Sequence, residues 1–587
     1  MKNTQYDVTK KHKNFKSLVS MITMLCLVAA LFAGCANGQT GDDANVTTAP
    51  VATEAPTQPT EAPTEPTEPP IQWETGLVSA VAAEVSYCDS EGAVLGTLIR
   101  GAEVLYTTEE DGTIRIQVDG VEGYLQDASV VSDAADLIPA HTLYVRSAVN
   151  LRDVDGRLLY AFADKGAAVE VIGYDYLEED GQAHMYQVIL GEEEGYIMPW
   201  YVVDTEEGAL ANYDVDGSYT VHANRGNSYG GGNAATLDYY PREKGPIEGN
   251  DMPEECRTLY LNNWCFGNLE SYIEIANNSG INAFVVDILD GGSVGYAGEV
   301  MKEYCPKGAR YAQNTVEEFQ AVIQRLKDEG YYVIGRISTF NDSYYVSDHP
   351  ENALTNWYGD PLKLAGDYWP SAYSRQAWQY KVDLAVEAVE LMGFNEIQFD
   401  YVRFPDSTWS YDNAGTIDYH NTYGETKAQA IQRFLMYATD ILREKGVYVS
   451  ADVFGESAYT YVTAYGQYWP AISNVVDVIS GMPYPDHFGK SGDYIPWEHP
   501  YATLYNWGTS VVKRQAETAT PAAVRTWIQA YNAIYSPNIY YGPDQVFAQI
   551  EGLRDSGCTG GYMTWNSLSS VSKYQSLMPA FTPPEEE

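Results

Sequence analysis

The sequence predicts a multidomain chain in which two small all-β barrels precede an α/β (β/α)8 TIM barrel. Three observations carry that prediction. The 587 residues, at roughly 100–200 per domain, call for several folded units. Residues 75–205 hold short alternating apolar runs broken by turn signals, in two related copies. Residues 256–580 alternate eight strand-like apolar runs with helical patterns, the signature of a parallel sheet wrapped by helices. With 45% apolar and 13% aromatic residues there is material for several cores, and wholesale disorder is excluded.

The elements follow in chain order. Lys2, Lys10, Lys11, Lys13 and Lys16 precede an apolar run from Leu18 to Ala33, the pattern of an export signal over 1–34. Leu31-Phe32-Ala33-Gly34-Cys35 resembles a bacterial lipobox, with Phe32 in place of the more usual Leu. The resemblance implies cleavage before Cys35 and lipidation of Cys35. The expected location is therefore the outer face of the bacterial cell membrane, exported and lipid-anchored, with the lipid as the membrane contact. Residues 35–74 read as a spacer. Between 47 and 70 they are built from Thr, Pro, Glu and Ala, which cannot bury a core and form an extended tether.

Composition narrows the partners. Lys plus Arg is 35 against 81 Asp plus Glu, a net charge of −46, and a field of that sign repels nucleic acid and anionic lipid headgroups. The 49 Tyr residues suit stacking on sugars, although Tyr-rich β-structure accounts for them equally well. Past Cys26 and Cys35 there are Cys88, Cys256, Cys265, Cys305 and Cys558. Cys256 with Cys265 or Cys305 is the nearest candidate disulfide for an exported chain. The eight His residues are scattered, with no His-x-x-x-His, so no metal and no cofactor is expected. The chain reads as a monomer.

The β-units span 75–135 and 136–205. Asp89-Ser90-Glu91-Gly92 in the first answers Asp153-Val154-Asp155-Gly156 in the second, and Gly123-Tyr124-Leu125 answers Gly195-Tyr196-Ile197. Tyr144-Val145-Arg146-Ser147 and Val149-Asn150-Leu151-Arg152 resemble the opening of bacterial Src-homology-3-like (SH3-like) domains; the first copy has lost most of that motif. The resemblance implies binding of cell-wall peptides or glycans, and a plain spacer role is the alternative. Residues 206–255, rich in Gly, Asn and Tyr, read as a linker leading into the barrel.

In the barrel, candidate strands fall at 257–262, 283–288, 331–337, 396–400, 447–452, 476–481, 524–529 and 559–564. The helices between them carry their own signals: Thr315 and Glu318 form a capping box, Val316, Phe319, Val322, Ile323 and Leu326 one apolar face, and Gly330 a stop. Chemistry in such barrels sits at the carboxyl ends of the strands. Alternation sends Gln398 and Asp400 of the fourth strand inward, and Tyr448, Ser450 and Asp452 of the fifth. Neighbouring strands lie about 4.8 Å apart, so the two acids should fall in the range of roughly 5–5.5 Å associated with retaining glycoside hydrolysis, a spacing nearer 7–9 Å pointing to inversion. The second strand ends at Asp287, with Asp290 just beyond. Arg336 and Arg403 are the available ion-pair partners.

These residues sit within a longer likeness. Val285-Val286-Asp287-Ile288, Gly335-Arg336-Ile337, Gln398-Phe399-Asp400-Tyr401-Val402-Arg403-Phe404-Pro405, Met482-Pro483-Tyr484-Pro485, Trp527-Ile528-Gln529 and Trp565-Asn566 appear in order. Over nearly all of 255–570 the chain resembles a bacterial family of glycosyl hydrolase barrels distantly related to α-amylases. The resemblance implies a polysaccharide or cell-wall glycan as substrate, Asp400 as nucleophile, and Asp452 as general acid with Glu456 as the alternative. Asp287, Arg336, Tyr401, Arg403, Tyr484, His487, Gln529, Trp565 and Asn566 would bind sugar or tune the acids. Gly481, Asp486 and Thr526 depart from the family pattern in loop geometry and leave the acids in place. Two other readings stay open, a non-catalytic glycan-binding surface lipoprotein and a peptidoglycan hydrolase or deacetylase targeted by the SH3-like pair.

Overall fold

The structure, a computed structural model, describes residues 71–214, 216–225, 231–406 and 408–582. The expected signal, Cys35 and the 47–70 tether lie outside the described residues.

Two seven-stranded antiparallel sheets occupy 74–131 and 141–203, and numbered within each sheet their strand order is the same, 3-2-6-5-4-1-7. The weak sequence repeat is thus a repeat of topology. Alternation along each strand buries one row: Val78, Val85, Val104 and Ile116 form the first core. Val145, Leu151, Val169, Val171 and Val188 of the second are continuous with the core of the barrel behind it.

The barrel strands are β1 (Cys256–Leu261), β2 (Ala283–Asp290), β3 (Tyr332–Ser338), β4 (Glu396–Asp400), β5 (Tyr448–Phe454), β6 (Val478–Met482), β7 (Thr526–Gln529) and β8 (Gly561–Trp565). Each is followed by a helix: α1 (Leu269–Asn277), α2 (Val316–Asp328), α3 (Arg375–Met392), α4 (Lys427–Glu444), α5 (Trp469–Ser473), α6 (Pro500–Ala516), α7 (Pro543–Ser556) and α8 (Val571–Phe581). Neighbouring strands pair in parallel from β1 to β6, and β7 pairs with β8, which returns to β1. Closure between β6 and β7 runs through the short strand Ala523–Val524 and through the Arg525 N–H, which donates to the Ile479 carbonyl. The strands are buried on both faces, so they read as near-continuous apolar runs. Polar residues interrupt those runs where they face the lumen. Thr315 and Glu318 make the predicted capping box of α2, and Gly393 closes α3 in the left-handed region at φ 72°.

The lumen carries two charged layers. At the base, Arg525 grips both oxygens of Glu396 at 2.8 and 3.0 Å and Tyr332 donates a third bond. Ile247 and Met252 pack beneath as a plug. The second layer, at the opposite end, is the candidate site. Cys256 sits at the base and Cys265 beyond the top of the same strand, six residues of about 3.3 Å each. No bridge can span that distance. All five described cysteines are free and buried, so the expected disulfide is not formed.

The second β-unit packs against the outside of the barrel. Asp440 of α4 accepts from Arg152 at 2.6 Å, from the Tyr201 hydroxyl at 2.6 Å, and from Arg242. Arg375 at the start of α3 donates to Asn150 at 2.8 Å, and Arg157 pairs with Asp383 at 2.9 Å. The segment that carries the SH3-like resemblance therefore spends Asn150 and Arg152 on the barrel, and Arg146 stacks on Tyr240. Among residues 206–214, 216–225 and 231–245, a strap is added in which Tyr219, Leu237 and Tyr239 pack on Ala428, Tyr468 and Ala471. Because Asp440 answers two buried arginines, Asp440→Ala leaves both unpaired. We expect a loss of about 3–5 kcal/mol, read by thermal unfolding; a loss below about 1 kcal/mol would show that the docking contributes little.

Candidate active site

The upper layer is built around one side chain. Arg336, the fifth residue of β3, points into the lumen and is 1% exposed. One terminal nitrogen donates to Asp287 at 2.7 Å and reaches Asp290 at 3.2 Å; the other donates to Asp400. Its Nε lies 3.8 Å from an oxygen of Asp452, an ion-pair distance too long for a hydrogen bond. Burial pulls the guanidinium pKa down, but Asp287, Asp400 and Asp290 together outweigh it, so Arg336 stays a cation.

Each acid reaches this centre for a local reason. Asp400 ends β4 and stands one residue beyond the Phe399–Ala451 register pair, which sets it beside Asp452 of β5. Its second oxygen accepts the Tyr401 N–H at 2.6 Å. Tyr401 holds φ at 49°, a left-handed conformation that costs a non-glycine residue about 1–3 kcal/mol and gathers at functional sites. Asp287 accepts from Arg336 and from the Tyr260 hydroxyl. A bulge in the β2–β3 register between Asp287 and Leu289 re-aims the strand end, which returns Asp290 to the mouth.

The carboxyls occupy unequal environments. The Asp452, Asp400 and Asp290 side chains are 0%, 11% and 36% exposed, a gradient from lumen to solvent. Burial, with the Asp400 charge beside it, lifts Asp452 well above the ordinary carboxylate range. Its Oδ1 accepts from the Trp527 indole at 2.8 Å and Oδ2 makes no hydrogen bond. The Asp452 Oδ2 and the Arg336 Nε thus face each other across 3.8 Å, neither with a hydrogen-bond partner. Burial pushes Asp287 up to about 7, with Arg336 opposing and Asp290 adding to the rise. Aromatic rings wall the layer: Trp565 lies 4.7 Å from Tyr260 and 5.6 Å from Trp527, with the Arg336 guanidinium 5.4 Å from the Trp565 ring. Tyr484 completes the wall, its phenol held neutral by burial and by Tyr531, Asp452 and Asp400.

The structure thus brings together Asp287, Arg336, Asp400, Asp452, Tyr484 and Trp565, with Tyr401 at the edge. Arg403 does not reach Asp400; it donates to the Phe404 carbonyl and lies among the rings of Trp369, Tyr401 and Phe454. Glu456 stands exposed beyond β5, accepting from Tyr461 at 2.7 Å and Tyr465 at 2.9 Å. His487 hydrogen-bonds Asp486 at 2.8 Å, and its ring is 5.2 Å from Tyr484. Gln529 is buried, with its amide oxygen on the Asp486 N–H, and Asn566 donates weakly to the Ala530 carbonyl; both brace loops. Tyr260 escaped the sequence reading and Trp527 entered it only within the longer family likeness, although the alternation that selected Asp400 also sends both inward. Among the described residues no group of three or more His, Cys, Asp or Glu is arranged to hold a metal ion; here a guanidinium sits between the acids.

Residues 258–571 match the family described as "Putative glycosyl hydrolase domain". No curated protein matches the chain. Among solved structures, the chain is similar to a hypothetical protein from Ruminiclostridium thermocellum ATCC 27405, at 34% identity over 33% of this chain and 97% of that one, TM-score 0.28. It is similar to the PgaB (BpsB) glycoside hydrolase domain from Bordetella bronchiseptica at 14% identity over 56% and 100% of the two chains, TM-score 0.40. It is also similar to the spore cortex-lytic enzyme SleL from Bacillus megaterium QM B1551 at 9% identity over 56% and 75%, TM-score 0.35.

The Asp287 shift makes a test of the charge layer. An acid whose folded pKa is raised from the ordinary 3.8 to about 7 contributes stability that is complete below about 4 and is lost as pH rises through 7. Asp287→Asn does not titrate. Its stability relative to the parent should therefore rise between pH 4 and 8, by up to about 1.4 kcal/mol per pH unit. Thermal unfolding of both proteins across that range reads the difference; a pH-independent gap would place Asp287 at an ordinary pKa.

Proposed function

The chain belongs to the family described as "Putative glycosyl hydrolase domain", and from that membership we propose that it cleaves glycosidic bonds of a polysaccharide at the mouth of its barrel through Asp400 and Asp452. Family membership speaks for glycan hydrolysis in general. The observation that carries the finer reading is the inequality of two adjacent carboxyls. Glycoside cleavage needs one acid ionised and one protonated. Asp400 is ion-paired to Arg336 and reaches the mouth, as a nucleophile must. Asp452 is kept protonated by burial beside Asp400, and its Oδ2 has no competing partner. Asp400 attacks the anomeric carbon while Asp452 gives its proton to the departing oxygen, and water then releases the glycosyl group with Asp452 as base. Glu456 fits the acid role less well, because it stands beyond β5 with both oxygens already taken by phenol donors.

Release of new reducing ends from a panel of bacterial, plant and host polysaccharides tests this, using residues 71–587 so that the docked β-unit is kept. Asp400→Asn should cut turnover at least about a thousandfold. Its stability should change little, because Arg336 retains Asp287 and Asp290. A folded Asp400→Asn protein with near-normal turnover would remove Asp400 from the chemistry. Asp452→Asn should cost about a hundredfold to ten-thousandfold and Glu456→Gln less than tenfold; the reverse order would make Glu456 the acid.

We further place the enzyme on the outer face of the cell membrane, held by lipid on Cys35, a reading supported by the lipobox-like sequence before it. Cys35→Ser should move the protein from the membrane fraction to the soluble one. A wild-type protein recovered soluble would overturn that placement.

A further inference from the structure

Around the barrel mouth, large aromatic rings stand in water on loops from opposite sectors. Trp264 follows β1, Trp357 and Tyr358 follow β3, and Trp409 follows β4; across the mouth, Tyr535 and Tyr540 follow β7. Trp357 and Tyr358 are 72% and 79% exposed, Trp264 is 68%, and Tyr540 is 61%. A single exposed aromatic is ordinary in a soluble protein. The loops that carry these rings are braced. The Trp264 indole donates to Ser293 at 2.9 Å, and Ser293 donates to Asn263 at 2.8 Å. Asn356 accepts the N–H of Tyr358 at 2.9 Å and of Asp360 at 3.0 Å, which fixes the turn that carries Trp357 and Tyr358. The loops bearing Trp357 and Trp409 are zipped together by the Thr355–Asp418 bridge. The Lys573 ammonium lies 4.6 Å from the Tyr540 ring. A braced loop presents its ring at a smaller entropic cost to binding.

We propose that these two sets of rings bind one uncharged polysaccharide chain laid across the mouth, on both sides of the bond cut at Asp400, so that the enzyme cuts within chains and not only at their ends. The inference rests on the glycosidase reading and adds the form of the substrate. Around the barrel β7 lies four strands from β3 and three from β4, so the rings after β3 and β4 face those after β7 across the mouth. A chain stacked on both sets passes over the carboxyl layer. The net charge of −46 disfavours a polyanionic chain. Exposed indole and phenol faces suit the flat apolar faces of neutral sugars. Rings on one side only would instead hold a chain end.

The test uses the full chain carrying Asp400→Asn, which holds polymer without cutting it, run through native gels containing hydroxyethylcellulose, laminarin, arabinoxylan or glycol chitin. At least one polymer should retard it. Trp357→Ala with Tyr358→Ala, and separately Tyr535→Ala with Tyr540→Ala, should each weaken that retardation at least tenfold while thermal unfolding stays unchanged. The wild-type protein should lower the viscosity of the retained polymer well before reducing ends accumulate. Retardation by none of the four polymers overturns the proposal. So does retardation untouched by both ring pairs, which would leave the rings to a protein partner. Dependence on one sector alone overturns cutting within chains. If both ring pairs govern retention but the wild type releases no reducing ends, the glycosidase reading fails and the binding surface stands.

Discussion

The Arg336 guanidinium is the constraint on which the upper half of the barrel depends. Four carboxyls on β2, β4 and β5 converge where water is largely excluded, and without a cation among them their mutual repulsion and desolvation would be prohibitive. Arg336 meets three of them directly and approaches the fourth at 3.8 Å. Its planar fork can serve several acids at fixed angles, which a lysine could not do. Its two terminal nitrogens are committed to Asp287, Asp290 and Asp400, and the Nε that faces Asp452 makes no hydrogen bond to it. Burial and the Asp400 charge then raise the Asp452 carboxyl well above the ordinary range, so the acids of one layer are unequal.

The layer below shows the same chemistry put to another use. Arg525 and Glu396 pair one to one, bidentate, with both sides 2% exposed or less, and Tyr332 takes a remaining lone pair. There Arg525 pairs with one acid, where Arg336 is shared among four. The break in the seventh strand lies at Arg525 itself, between Ala523–Val524 and β7. The barrel thus has a one-to-one charge pair at its closed end, its Arg525 Nε left without a hydrogen bond, and a shared cation at its open end. That contrast points to the open end for chemistry more strongly than position alone does.

Much of this was legible in the sequence because two periodicities are strict. Alternation along a strand buried on both faces leaves no freedom about which side chains enter the lumen, so Asp400 and Asp452 could be read off β4 and β5. Capping chemistry is equally local, as Thr315 with Glu318 shows. What was not legible depends on contacts between distant segments. Arg336 and Arg403 looked interchangeable as partners of Asp400, but only Arg336 lies on an inward position of a neighbouring strand, while Arg403 follows the left-handed Tyr401 and turns into a cluster of rings. Asp290 needed the bulge, which appears only when β2 is laid against β3. Tyr260 and Trp527 obeyed the alternation rule but carried no charge to draw notice. The free thiols reflect strand length, which separates Cys256 from Cys265 despite their closeness in sequence.

The docking of the second β-unit has a consequence for inheritance. Domains that meet through flexible linkers can be exchanged between proteins with little loss, and small β-barrels are often treated as such portable parts. Here Arg152 on one unit and Asp440 on the other are buried and answer each other, as do Asn150 and Arg375. A recombination event that delivered this barrel without its own β-unit would bring Asp440 without two of its three donors, and a foreign β-unit would arrive with side chains that fit nothing. The second β-unit and the barrel are accordingly one piece whatever their sheet boundaries suggest, and changes at Arg152 and Asp440 should be inherited together. The first β-unit carries Cys88 where the repeat places Arg152, so it lacks that tie to the barrel; its own tie is to the second unit, where the Tyr174 hydroxyl donates to the Ala134 carbonyl and Arg100 is buried beside Tyr186.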